Sequence, residues 1–387
     1  MKKLTTAALF GTMVFLSFIT AVQGALLTDI INFFHPESSA QGLPVFLASV
    51  GGMVSLASTF FLIGRLPKFR LLEIGIMICC VFLCGVALAK TFFLFLSAWF
   101  AVGIGIGYMD ALISSCIADL YTGKDATRTM CNLHTTAGIS SMIAPIIYSA
   151  LKSAGVQWNH LYYVISVFGL FMFAVMILVA NKTLSSHTTE TVHTENKMNF
   201  QETVSHLISG RFPFLLLAIF MHGIFLGGLN SWLTHYVSVT LNGKLGSIAL
   251  SFLFFGVLIS RFLFPFTGFD RTKYLSRAGF LAGIVFAAAL PFSSDVVVCV
   301  AAALCALCFG AMIPCLLNEA CADMPETTLL ATTSMVLCLY LGQGLASPIL
   351  GAFEKGAGLR YGMFFCSGIM ILTSAVLSIK KVHGEIE

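Results

Sequence analysis

The chain has 387 residues, of which 58% are hydrophobic and only 10% charged, and its formal net charge is +4. A soluble domain carries roughly 25% charged residues, so this composition provides too few charges to cover a surface in water. The sequence therefore predicts a membrane protein. It contains no basic run of the kind that binds nucleic acid.

Apolar runs long enough to cross a membrane recur along nearly the whole chain. About 20 apolar residues in a helix span a hydrocarbon core of roughly 30 Å. Twelve helical spans are predicted, with cores at 6–33, 44–64, 71–89, 92–121, 129–150, 159–181, 212–239, 246–266, 276–292, 295–321, 328–352 and 359–379. The first resembles a secretory signal, but it is interpreted as an uncleaved span because eleven further apolar segments follow.

A polar stretch divides the spans into six and six. It predicts an N-terminal six-helix bundle over 1–181, a cytoplasmic linker over 182–210 and a C-terminal six-helix bundle over 211–387. With both termini in the cytoplasm, 16 of the 21 Lys and Arg residues fall on the cytoplasmic side, as the positive-inside rule requires. The style of the sequence indicates a bacterial inner-membrane protein, and we expect a monomer.

Cysteine and histidine give weak chemical signals. The pair Cys305 and Cys308 has CxxC spacing, but it lies in an apolar span, so small packing residues are the favoured interpretation. Three histidines in the linker, His187, His193 and His206, have a metal-binding alternative, but a solvated linker is favoured. No metal site and no cofactor are predicted.

The two halves resemble each other at an offset of 204 residues, as from Gly24 to Gly228 and from Gly138 to Gly342. Ala118-Asp119 matches Ala322-Asp323 at the same offset. Parallel repeats of six spans are a known plan of membrane transporters. The predicted fold is therefore an all-α membrane protein with two six-helix pseudo-repeats.

Twelve spans, a central linker and basic turns after spans 2 and 8 resemble the major facilitator superfamily. The turn "TGFDRTKYLSR" after span 8 is similar to the loop signature of that superfamily, whereas "IGRLPKFR" after span 2 lacks its Asp. The resemblance implies a transporter that works by alternating access. It also implies that acids ending spans 4 and 10 pair with loop cations, which predicts Asp119–Arg65 and Asp323–Arg271 as gating pairs, with Arg261–Glu319 as another.

Within the superfamily, three stretches are similar to the fucose–galactose–glucose:proton symporters. They are "GIGIGYMDALISS" in span 4, "MCNLHTTAGISSMIAP" in span 5, and "SWLTHYV" with "FFGVLISRFLFP" in spans 7 and 8. Two positions depart from that family. Ser114 replaces a frequent Asn, and the acid that fucose members carry in span 1 would fall near Gly24, whereas Asp29 lies further out. The likeness implies proton-coupled sugar uptake.

Asp110 is the strongest candidate for chemistry. A charge within the hydrocarbon zone is costly unless it faces a bundle interior or water, and burial favours proton exchange near neutral pH. Helical spacing places Trp99, Gly103, Gly107, Asp110 and Ser114 on one face, which is interpreted as a cavity wall. His134 in span 5 is either a proton relay paired with Asp110 or Asp119, or a structural hydrogen-bond donor.

Polar and aromatic residues in spans 1, 4, 5, 7 and 11 fit a neutral polyol, which is oriented by hydrogen bonds and stacking. The predicted substrate-binding residues are Gln23, Trp99, Asp110, Ser114, Asn132, His222, Asn230, Trp232, Tyr340 and Gln343. No arginine is predicted at mid-membrane, which argues against an anionic substrate. Proton-coupled uptake of a sugar or similar small neutral solute is the first hypothesis. Multidrug or metabolite efflux, a membrane enzyme and a non-transporting sensor are the alternatives.

Overall fold

The structure is a computed structural model. It describes residues 2–37, 40–62, 65–121, 123–186, 210–324 and 328–379. Most of the predicted linker, with its three histidines, lies outside these ranges, as does the side chain of Asp119.

The chain divides into two compact units, Met1–Val192 and His193–Glu387. The helices of unit 1 are α1 (Lys2–Ala25), α2 (Leu27–Phe34), α3 (Leu43–Leu62), α4 (Lys68–Leu88), α5 (Phe92–Leu120), α6 (Gly123–Ser153) and α7 (Trp158–Ser186). Span 1 consists of α1 and α2, and spans 2 to 6 are α3 to α7.

The helices of unit 2 are α8 (Phe212–His235), α9 (Ala249–Leu263), α10 (Arg271–Ala289), α11 (Asp295–Phe309), α12 (Met312–Asp323), α13 (Thr328–Lys355) and α14 (Leu359–Leu377). A π-helical turn, Tyr236–Thr240, extends α8. Spans 7, 8 and 9 are α8, α9 and α10, span 10 consists of α11 and α12, and spans 11 and 12 are α13 and α14.

The predicted all-α membrane fold is confirmed. Nine helical segments of the described residues are long and apolar enough to cross a membrane. Spans 2, 5 and 9, which fall outside that set, are also helical over Leu43–Leu62, Gly123–Ser153 and Arg271–Ala289. In each unit the odd-numbered spans begin at one face, called the first face, and the even-numbered spans begin at the second face. The charge bias predicts that the first face is cytoplasmic.

Each unit uses the same helix pairings. In unit 1, span 1 packs on spans 5 and 6, span 4 packs on spans 2 and 3, and span 3 packs on span 6. In unit 2, span 7 packs on spans 11 and 12, span 10 packs on spans 8 and 9, and span 9 packs on span 12. Matching pairings of this kind are expected when a unit of six helices is repeated at a fixed sequence offset.

Glycines bring the closest pairs into backbone contact. A Cβ on Gly103 would lie 2.7 Å from the Cα of Ala48 in span 2, and a Cβ on Gly227 would lie 2.6 Å from the Cα of Gln343 in span 11. Small residues permit this close approach of membrane helices. The glycine-rich faces of spans 4 and 7 are therefore packing faces.

Span 10 was predicted as one helix over 295–321 but is interrupted at Gly310 and Ala311. Pro314 explains the interruption. Proline has no N–H to donate to the carbonyl four residues earlier, which belongs to Gly310, and its ring crowds that carbonyl. In the 204-residue repeat, Pro314 of span 10 is equivalent to Asp110 of span 4. The helix of span 4 is continuous at that position.

Candidate functional site

Asp110 lies near the centre of the 29-residue helix of span 4 and is half-buried. Ser114, one turn further on, is also half-buried. Gly103 and Gly107 are buried, and the Cβ of a larger residue at Gly107 would lie 2.9 Å from the Cα of Gly52 in span 2. The glycines of the predicted cavity wall thus hold span 4 against span 2, and Asp110 and Ser114 are the polar members of that face that remain partly accessible.

Trp99, predicted to bind substrate, has no exposed surface. Its ring packs edge-on against Phe95 and Tyr162, with centroids 6.3 and 5.8 Å away. The indole N–H and the Tyr162 hydroxyl are both buried without a hydrogen-bond partner. These contacts give Trp99 a packing role in unit 1, and its contact with a solute stays a prediction.

The other candidates in unit 1 lie on different helices. Gln23 is half-buried near the end of α1, and its side-chain Nε2 has no partner. His134 is half-buried in span 5 and Asn132, two residues earlier, is exposed. Span 5 packs chiefly on span 1, and His134 lies in the first half of the helix Gly123–Ser153, nearer the first face.

The indole nitrogen of Trp232 in span 7 has hydrogen-bond partners within unit 2. Its fully buried indole nitrogen donates to the carbonyl and to the hydroxyl of Ser347 in span 11, at 3.1 and 3.0 Å. Both bonds join spans 7 and 11, the pair that Gly227 also brings together. The substrate contact predicted for Trp232 thus competes with a structural role that the sequence did not indicate.

His222, Asn230, Tyr340 and Gln343 complete the predicted substrate set in unit 2. His222 is fully buried and both ring nitrogens are without a hydrogen-bond partner, while Asn230 is half-buried with its side-chain oxygen unpartnered. Tyr340 and Gln343 are half-buried in span 11. Buried polar atoms in folded proteins are nearly always hydrogen-bonded, so His222 and Asn230 are exceptions of the same kind as Trp99 and Tyr162. The solute contacts predicted for His222 and Asn230 stay predictions.

Arg261 corrects the prediction that no arginine lies at mid-membrane. Its backbone is near the end of span 8, but its Nε donates a 3.1 Å hydrogen bond to the carbonyl of Gly310. Gly310 lies midway along the 29-residue segment from Asp295 to Asp323, about 20 Å from either end at the helical rise of 1.5 Å per residue. A Cβ on Gly310 would lie 2.7 Å from the Cβ of Ser260, so this part of span 8 packs against Gly310 and Arg261 lies at the same level of the helix pair.

The first face of unit 2 carries a cluster of four charges, Arg211, Arg271, Glu319 and Asp323. Arg211, at the start of span 7, lies 2.6 Å from Asp323 and 3.0 Å from Glu319. Arg271 lies 3.9 Å from Glu319. Asp323 thus pairs with Arg211, and Arg271 lies near Glu319 in place of the predicted Asp323–Arg271 pair. The gating role of these residues stays a prediction.

The predicted Arg261–Glu319 pair is likewise replaced by other contacts, since Glu319 faces Arg211 and Arg271 while Arg261 bonds to Gly310. Sequence reasoning missed Arg211 because it borders the polar linker and resembles an ordinary interfacial charge. The predicted Asp119–Arg65 pair lies outside the described side chains.

At the first face of unit 1, weaker contacts join the first and fourth spans of that unit. The Thr6 and Tyr121 hydroxyls are 2.8 Å apart, and the Lys2 ammonium lies 4.0 Å from the centre of the Tyr121 ring. The first-to-fourth-span connection is thus common to both units, with ion pairs in unit 2 and a tyrosine in unit 1.

The second face joins the first and fifth spans of each unit. In unit 1, Lys152 lies 2.7 Å from Asp29, which also accepts a hydrogen bond from Tyr148. In unit 2, His235 lies 2.7 Å from Glu354. The acid is on the first span in unit 1 and on the fifth in unit 2.

A groove of about 400 Å³ lies beside the Asp29 cluster, with Phe33 and Trp158 in its lining. Sequence analysis had set Asp29 aside and gave no signal for Lys152 or Glu354.

Fold, span pairing and polar groups at mid-span define a multi-pass membrane transporter. The sequence model of the Major Facilitator Superfamily matches residues 8–347. The chain belongs to the major facilitator superfamily, as the loop turns and the repeat had predicted.

A curated relative and several solved structures are similar to this chain. A TsgA homolog from Buchnera aphidicola is 23% identical over 248 residues, which cover 63% of this chain and 61% of the homolog. A bacterial homolog of the human lysosomal transporter Spinster, inward-facing and unoccupied, superposes with a TM-score of 0.73 at 16% identity, covering 98% of this chain and 96% of the other.

The fucose:proton symporter FucP of E. coli superposes with a TM-score of 0.66 at 15% identity, covering 97% of this chain and 98% of FucP. At these identities the structural likeness shows the fold alone.

Proposed function

We propose that the protein is a proton-coupled secondary transporter that takes up a sugar or similar small polar solute by alternating access. It works in the bacterial inner membrane, as a monomer with both termini in the cytoplasm. Membership of a transporter superfamily supports the general activity. The resemblance of spans 4, 5, 7 and 8 to sugar:proton symporters supports the solute class and the coupling ion.

Asp110 is the observation that carries the proposed coupling. A carboxylate within the hydrocarbon zone is costly, by several kcal/mol, in its charged form. The same group is tolerated when it takes up a proton, so its occupancy by a proton is linked to its access to water. Partial accessibility of Asp110, beside a packing face that fixes the helix, suits a residue that exchanges a proton as the surrounding helices move. His134 is the second candidate for this proton path.

A proteoliposome assay tests the proposal. Purified protein is reconstituted with a pH-sensitive dye inside the vesicles, and a panel of sugars, sugar acids and polyols is added outside. We expect at least one solute to drive protons inward, and a protonophore to abolish its accumulation. Asp110→Asn should abolish both signals, whereas Asp125→Asn, an exposed acid at the start of span 5, should leave them intact. Solute uptake with no proton movement, or proton movement that survives Asp110→Asn, would refute the assignment.

A further inference from the structure

The interruption of span 10 gathers polar groups from four helices of unit 2. Arg261 of span 8 donates to the carbonyl of Gly310, and the hydroxyl of Tyr274 in span 9 donates to the carbonyl of Cys308 at 2.8 Å. The same hydroxyl accepts from the N–H of Ala311 at 3.2 Å. These bonds satisfy backbone groups that the break exposes. In membrane proteins such interruptions are tolerated where they are buried in protein or line a cavity, and transporter binding sites are typically formed by discontinuous helices.

The hydrogen bond at the break involves only one of the donors of Arg261. A guanidinium group has five N–H donors, and a single one of them, on Nε, bonds to Gly310. The two terminal nitrogens have no partner among the described residues. Tyr274 alone, which is neutral, already bonds on both sides of the break. A neutral side chain would therefore suffice to stabilise the backbone. Arg261 is half-buried, and a positive charge withdrawn from water is costly unless it is paired.

His222 of span 7 lies beside the break in span 10. Its ring centre is 5.4 Å from that of Phe309, the residue before the break, and it lies close enough to Arg261 to interact with that charge. The imidazole is fully buried with both nitrogens unpartnered. A neutral imidazole offers one donor and one acceptor, which matches a hydroxyl group.

We infer that the break in span 10 forms a subsite for a carboxylate of the transported solute, bound by Arg261, with His222 bonding a neighbouring hydroxyl. Planar guanidinium groups bind carboxylates through two parallel hydrogen bonds. Arg261 is the one full positive charge among these groups, so a singly charged anion is matched. The inference rests on the proposed function and narrows its solute class, sugars and similar small polar molecules, to hydroxylated carboxylates such as sugar acids.

Matched solute pairs test this subsite. Thermal unfolding of the purified protein is followed in glucose against glucuronate, galactose against galacturonate, and sorbitol against gluconate. Each acid replaces a hydroxymethyl group of its partner by a carboxylate. A ligand that binds the folded state raises Tm in proportion to its occupancy. We expect one or more acids to stabilise the wild-type protein with an apparent Kd about tenfold or more below that of the neutral partner.

Variants separate anion binding from support of the backbone. Arg261→Gln should abolish the preference for the acid, and Arg261→Lys, which keeps the charge but loses the planar fork, should reduce it. Tyr274→Phe removes the other support of the break and should lower Tm while leaving the preference intact. Arg277→Gln, an exposed arginine on span 9, is the matched control.

Equal stabilisation by acid and neutral partner, absence of stabilisation by every acid, or a preference that survives Arg261→Gln would overturn the inference. A lost preference in Tyr274→Phe equal to that in Arg261→Gln would also overturn it, because both residues would then act through the backbone alone. Proton movement driven by a neutral sugar in the proteoliposome assay would leave the proposed function standing while the subsite failed.

Discussion

Arg211→Gln should destabilise unit 2 more than any other single removal of a cation at its first face. Arg211 is 23% exposed and contacts Asp323 and Glu319, whose side chains are 18% and 14% exposed. Removing one partner of a buried ion pair costs about 3–5 kcal/mol, because a charge is left uncompensated. Partial access of water reduces this to about 2 kcal/mol, which corresponds to a fall in Tm of roughly 4–8 °C for a unit of this size.

Thermal unfolding of the purified variant measures this loss, and Arg271→Gln is its control. Arg271 is 49% exposed and 3.9 Å from Glu319, so its removal should lower Tm by about 2 °C at most. Adding Asp323→Asn to Arg211→Gln should recover part of the loss, since the uncompensated carboxylate is then removed. Equal falls in Tm for the two arginine variants, or an unchanged Tm in Arg211→Gln, would refute the pairing.

Two further substitutions test the packing of spans 7 and 11. Gly342→Ala should abolish the yield of monodisperse protein, because its Cβ would meet the backbone oxygen of Phe220, whereas Gly368→Ala has open space and should be tolerated; normal yield from both would contradict the backbone contact. Trp232→Phe should lower Tm by a few degrees, since two hydrogen bonds to Ser347 are lost at about 1 kcal/mol each, while uptake is retained. Lost uptake at an unchanged Tm would instead favour the solute contact that the sequence predicted.

The spans and their grouping could be predicted from the sequence because each depends on local composition. Runs of apolar residues fix which segments cross the bilayer, and the glycine offset identified helices that later occupy equivalent positions. The glycine face of span 4 could be placed on the correct helix, but the sequence did not show that span 2 is its neighbour. Periodicity shows which residues share a face, and it does not show whether that face meets water or another backbone.

Most of the contacts that could not be predicted from the sequence are made by long side chains, whose charged ends lie away from their own backbones. Arg211 was judged by the position of its backbone at the edge of the linker, whereas its guanidinium group acts at Asp323. The interruption of span 10 did have a local signal. Pro314 removes the bond to the Gly310 carbonyl, and a proline at mid-span could have placed the break before the structure was known.

Comparing accumulation with exchange in Asp110→Asn tests proton coupling most directly. Vesicles are prepared with wild-type, Asp110→Asn and Asp125→Asn protein, and a solute identified by the dye assay is followed under an inward proton gradient and then in counterflow without a gradient. Asp110→Asn should lose accumulation above equilibrium and keep exchange, since the variant mimics a permanently protonated carrier that still binds solute. Accumulation by Asp110→Asn at the wild-type level would contradict the assignment of Asp110 as the proton carrier.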